Sequence, residues 1–225
     1  MSKSWNKRAE KKAREEQRLR SLRRYLIVGE DAKSSLLYLK KFPYDRALVQ
    51  IESHGGCGET LSVVNRGIAL RQEAIKAKTP FVETFCVIDR DEHPEERYRK
   101  AFEVAQQLND LHVIWANEAF ELWYLLHFQY LDAGLHRDHL NERLAERLES
   151  TYDKADDTIY DRLLSRQSVA IKNAERLEKY NAASAAPWFD NPSTNIHDLV
   201  RLLNQLAELK RDAETIESTS ADHPE

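Results

Sequence analysis

The chain has 225 residues, 41% of them apolar and 32% charged, with only 6 Gly and 6 Pro. This composition excludes a collagen-like or low-complexity chain and predicts one α/β core of long regular elements with a helical extension. The net charge of −4 conceals an asymmetry, because residues 1–24 carry +7 and the remainder −11.

No window reaches the roughly 18 consecutive apolar residues of a membrane span, and the basic start lacks an apolar segment, so neither signal peptide nor anchor is expected. The two cysteines, Cys57 and Cys86, lack metal-ligand spacing, which fits a reducing cytoplasm. The basic lead-in, residues 1–23, favours helix by propensity but shows little apolar periodicity. It reads either as a segment that tracks a polyanion or as a solvated helical or flexible arm.

The first predicted strand, residues 24–28, is short, β-branched and apolar on both sides, the pattern of a strand covered on both faces. A helix follows over residues 32–42, stopped by Pro43, and then a second strand over 47–51. His54-Gly55-Gly56-Cys57-Gly58 reads as a tight turn leading into a crossover helix over 60–78. The third strand covers 81–88, the third helix 94–109 and the fourth strand 111–116. This βαβαβαβ order implies a mainly parallel four-stranded sheet with helices on both faces, residues 24–117, and ligands at the strands' carboxyl ends. Beyond it, helices are predicted over 120–128, 137–151, 155–164, 168–180 and 192–213, with no fifth strand. Residues 118–212 thus form a helical extension, and 213–225 a polar tail.

Three acids fall where this sheet would gather them: Glu30 after the first strand, and Asp89 and Asp91 after the third. Mg²⁺ or Mn²⁺ takes oxygen ligands, often one or two carboxylates completed by water and phosphate. An extended Asp-x-Asp points both carboxylates to one side, with Arg90 pointing away. The alternative is a solvated acidic loop. Glu121 opens a helix beside the same sheet edge, either as a further carboxylate of the site or simply as a favourable charge at a helix N-terminus. Asn117 is the expected N-cap of that helix, with Phe120, Leu122 and Trp123 in the core. Lys33 is placed to contact a phosphate. Gly55 and Gly56 either let backbone approach a phosphate or form an ordinary turn. His54 reads as a surface residue or a phosphate contact, and His127 as a packed one.

Val28-Gly29-Glu30 and Val87-Ile88-Asp89-Arg90-Asp91 resemble the Toprim pattern of one Glu after the first strand and Asp-x-Asp after the third. The segment from Asn117 through Phe120-Glu121-Leu122-Trp123 to Phe128 resembles the signature of RloB-like proteins. Tyr152-Asp153-Lys154, Ala170-Ile171-Lys172-Asn173-Ala174 and Asn191-Pro192-Ser193-Thr194 are similar to that family's downstream blocks. The loop after Glu30 departs from the family pattern, which more often has Gly after the Glu and a second Glu further on.

The resemblance implies a bacterial cytoplasmic protein of restriction or abortive-infection loci, with an ABC/AAA-type ATPase as partner. No Gly-x-x-x-x-Gly-Lys-Ser/Thr loop occurs, so ATP hydrolysis is expected elsewhere. Within the family-like blocks, Lys154, Lys172, Asn173 and Ser193 either line a nucleic-acid groove or cap and solvate helices. The expected function is Mg²⁺- or Mn²⁺-dependent cleavage of RNA, including transfer RNA, or of DNA, with Asp89 and Asp91 as metal ligands and Glu30 either joining them as a ligand or acting as general acid/base. The alternative is a non-catalytic Toprim-like docking subunit of the ATPase.

Overall fold

A computed structural model describes residues 22–30, 33–54, 60–91 and 93–221. Most of the basic lead-in and the Gly55-Gly56 turn lie outside them. The strands are β1 (Arg24–Gly29), β2 (Val49–Ser53), β3 (Phe81–Asp89), β4 (Leu111–Asn117) and β5 (Ser193–Thr194). They form one sheet in the order β2-β1-β3-β4-β5. The first four are mutually parallel and β5 is antiparallel to β4.

The alternation of strand side chains divides two cores. Tyr25, Ile27, Phe85, Val87, Ile114 and Ala116 face one of them, and Leu26, Val28, Cys86, Ile88, Leu111 and Val113 the other. The second core is closed by α2 (Thr60–Lys76) through Val63, Val64 and Leu70, and by α3 (Glu95–Ala105) through Tyr98, Ala101 and Phe102. The first is covered by α1 (Ser34–Lys40), α4 (Glu121–Leu126) and the helical carboxyl half: α5 (Arg137–Leu148), α6 (Ile159–Leu164), α7 (Gln167–Tyr180) and α8 (Ile196–Ala221). In α8, Leu199, Val200, Leu203, Leu206 and Ala207 are buried at helical spacing. The segment α4 is buried on every side, with Trp123 wholly inside. Its truncation to Ala would cost about 3–5 kcal/mol.

Three expectations are corrected. The sheet has a fifth strand: two residues from the Asn191-Pro192-Ser193-Thr194 segment dock on the edge of β4, pairing Ala116 with Thr194 and Asn117 with Ser193. A two-residue strand has no alternation to betray it. Asn195 extends the edge with its side chain, accepting from the Trp115 N–H at 2.8 Å and donating to the Val113 carbonyl at 3.0 Å. Asn117 does not cap α4, because its side-chain amide donates to the Trp188 carbonyl at 3.4 Å and α4 starts after Phe120. And α6 begins at Ile159 rather than 155, since the Asp153 and Asp156 side chains accept from the N–H of Ala155 and Thr158 and hold this stretch in turns.

Strand order positions the site. From β1 the chain moves outward to β2, then crosses back to β3 on the other side, so α1 and α3 leave neighbouring strands toward opposite faces. The carboxyl ends of β1 and β3 flank this reversal, where open α/β sheets leave a crevice for ligands.

Candidate metal centre

The β1 end is shaped by Gly29. A Cβ there would sit 2.7 Å from Leu36 Cδ2, so only glycine lets α1 pack this closely against the strand that delivers Glu30. The Gly29 carbonyl also accepts the His54 N–H at 2.8 Å, which ties the β2 end to the same mouth.

At the β3 end the regular strand stops at Asp89. The Arg90 N–H still donates to the Ala116 carbonyl at 3.1 Å, and the Asp91 N–H to the Glu118 carbonyl at 3.0 Å. Asp91 has φ of 41°, in the left-handed region. The extended Asp-x-Asp of the sequence reading is therefore corrected: Asp89 is in the strand and Asp91 in a turn. Arg90 does point away, with its guanidinium 5.1 Å from the Tyr98 ring centre. It also donates to the His93 carbonyl, which fixes the turn.

This turn carries His93 to Glu30, with Nε2 3.8 Å from Oε1. One ligand atom each from Glu30, Asp91 and His93 lies within 4.8 Å of the others, and all three side chains are half-buried. Asp89 is not in this trio but senses it. Its carboxyl is held well above the usual carboxylate range, first by burial and then by the charges of Asp91, Glu121 and Glu30, with Lys154 opposing. Glu121, 1% exposed, accepts the Tyr152 hydroxyl at 2.7 Å and lies 3.8 Å from Lys154 Nζ. The loop bearing Lys154 is tied to α1, because the Ser34 N–H donates to the Lys154 carbonyl at 3.0 Å and the Tyr124 hydroxyl to the Ser34 carbonyl at 2.9 Å. On the other flank Arg137 Nη2 lies 2.8 Å from Asp91 Oδ1, while its N–H donates to Glu118 Oε2 at 2.6 Å.

Among the described residues Glu30, Asp89, Asp91 and Glu121 thus converge near Arg137 and Lys154, a carboxylate-rich arrangement that suits a divalent cation. The oxygens suit Mg²⁺, and the imidazole of His93 tilts the donor set toward Mn²⁺.

Other predicted residues contribute no ligand atom to the Glu30, Asp91 and His93 trio. Lys33 is exposed before α1, its carbonyl accepting the Leu36 and Leu37 N–H groups. Lys172 is exposed on α7, while its neighbour Asn173 donates to the Leu126 carbonyl at 2.7 Å. Ser193 is buried and accepts the Trp115 indole N–H at 2.8 Å, a structural role. His127 packs inside, its Nδ1 2.9 Å from the Trp123 carbonyl oxygen. Sequence reasoning missed His93, Arg137 and Tyr152. His93 was legible as a donor two positions after Asp91, in Asp91-Glu92-His93, whereas Arg137 is brought in only by the docking of α5.

Among the described residues no helix is long and apolar enough to cross a membrane. The fold and this centre define an α/β protein with an acidic, histidine-bearing site at the switch point of its sheet. The profile of the RloB-like protein family matches residues 25–203, and the chain belongs to that family. No curated protein matches it.

Proposed function

We propose that this protein is a Mg²⁺- or Mn²⁺-dependent nuclease with a Toprim-type core. The observation that carries this reading is the convergence of Glu30, Asp91 and His93 beside Asp89, whose carboxyl is raised well above its usual range by burial first and then by the charges of Asp91, Glu121 and Glu30. A bound divalent cation would supply positive charge to a phosphodiester and lower the pKa of water. Glu30, Asp91 and His93 would hold it, and its charge would offset the neighbouring carboxylates that help raise the Asp89 pKa. Glu121, fixed by Tyr152, keeps Lys154 at the rim, where the ammonium can neutralise a substrate phosphate. Lys33 directly precedes Ser34, whose N–H donates to the Lys154 carbonyl, and would extend that contact.

On this reading the protein acts in bacterial anti-phage defence in the cytoplasm with an ABC/AAA-type ATPase, as the resemblance of its motifs implies. The test is sequencing of cleaved RNA and DNA after expression of the wild type and of Asp89→Ala with and without the partner. Cleavage ends present only in the wild type support the proposal. Identical ends in both, or none in either with the partner present, leave it without support and favour a docking role.

A further inference from the structure

A second cluster lies away from the sheet's carboxyl end, where α7 meets the start of α8. His197 is 0% exposed, and among the described residues neither ring nitrogen has a hydrogen-bond partner. A buried imidazole in that condition forfeits hydration without replacement. Its Nε2 is aimed at two carboxylates, Glu178 Oε2 at 3.4 Å and Asp198 Oδ1 at 3.6 Å. One ligand atom from each of the three lies within 4.8 Å of the others.

These separations are long for hydrogen bonds, which fall at about 2.7–3.2 Å for nitrogen and oxygen. They match another geometry. Tetrahedral zinc with bonds of about 2.0–2.1 Å sets its ligand atoms about 3.4 Å apart. One imidazole nitrogen and two carboxylate oxygens are an accepted zinc donor set, and three protein ligands leave a fourth position for water. A cavity of about 230 Å³, lined by Glu178, Asn181, Ser184 and Asn195 among others, adjoins Glu178 and admits solvent to that side.

One cation already stands beside these carboxylates. Arg201 Nη1 stands 3.9 Å from Asp198 Oδ1, but its other nitrogen is engaged by Glu175, so it covers Asp198 only partly.

We propose that Glu178, His197 and Asp198 form a zinc-type metal site, independent of the carboxylate centre, that clips α7 to α8. Holding the two helices together fixes the edge segment that places β5 on β4. Glu178 and Asp198 have side chains 61% and 55% exposed, so the ion enters from solvent and its loss leaves the apolar packing intact.

The test uses the full chain carrying Glu30→Gln, Asp89→Asn and Asp91→Asn, stripped with chelator and titrated with Co²⁺ and then Zn²⁺. The expected result is the strong visible absorption of tetrahedral Co²⁺ at about one equivalent, its displacement by Zn²⁺ and a rise in Tm with Zn²⁺. Glu178→Gln or Asp198→Asn in that background weakens binding by more than about tenfold. The same two substitutions in the otherwise wild-type chain give the same weakening of the tetrahedral signal, should the background variant fold poorly. Absence of the tetrahedral absorption, or a signal that Glu178→Gln leaves unchanged, overturns the proposal.

Discussion

Among the described residues a histidine meets two carboxylates at two places, and they are built in opposite ways. At the sheet's carboxyl end Glu30, Asp91 and His93 are all half-buried, and the excess of negative charge, with Asp89 and Glu121 behind, is the feature that calls for a cation. Between α7 and α8 the histidine is wholly buried and both carboxylates are exposed, so the feature there is an imidazole without hydrogen bonds. The first arrangement suits an ion that also meets substrate. The second suits one that holds helices together.

The comparison breaks most directly at Asp91. Asp91→Ala should lower Mg²⁺- or Mn²⁺-dependent cleavage by about 10³-fold, measured on the RNA or DNA identified by sequencing. An unchanged rate would remove Asp91 from the centre. His93→Gln should weaken Mn²⁺ binding by about tenfold and Mg²⁺ binding less, because only the imidazole nitrogen discriminates between them. Equal losses for both ions in calorimetry would make His93 a bystander.

Protonation separates the sites further. The carboxyl of Asp89 is raised above its ordinary value of 3.8, so its stabilising contribution is present at low pH and is lost as pH rises through the folded-state pKa. Asp89→Asn should therefore raise Tm at neutral pH in chelator, by about 2–4 °C per kcal/mol relieved, while abolishing cleavage. A lowered Tm would contradict the charge balance described above.

His127 serves as the reference for a buried imidazole without acids. Its neighbours are the Trp123 carbonyl and the rings of Tyr38 and Trp123, and burial pushes its pKa from 6.5 down to about 4. The unfolded chain takes up a proton that the folded one resists, so stability is fully present above pH 6.5 and declines toward pH 4. The total is on the order of 3 kcal/mol. Denaturant titrations should show that slope flattened in His127→Gln. The smallest expected effect is on the other cluster: Glu178→Gln should leave cleavage within about twofold of wild type, as expected for distant independent sites. A large loss of cleavage would join the two centres into one.

Much of this architecture was legible in the amino-acid sequence. Apolar β-branched runs and 3.6-residue spacing marked the first four strands and the helices between them, because these patterns follow from local backbone period. The alternation of strand and helix implied a parallel sheet, and Glu30, Asp89 and Glu121 were placed at its carboxyl end by their positions alone. The tertiary structure decided the rest. Whether Ser193-Thr194 is a strand depends on the open edge of β4, not on its own residues. Asp91 leaves the extended path because its N–H meets the Glu118 carbonyl, and that turn is what brings His93 to Glu30. Arg137 reaches Asp91, and Glu178 reaches His197, only because helices dock. Period is written locally in the chain, whereas encounters between distant side chains are set by packing, and no spacing in the sequence encodes them.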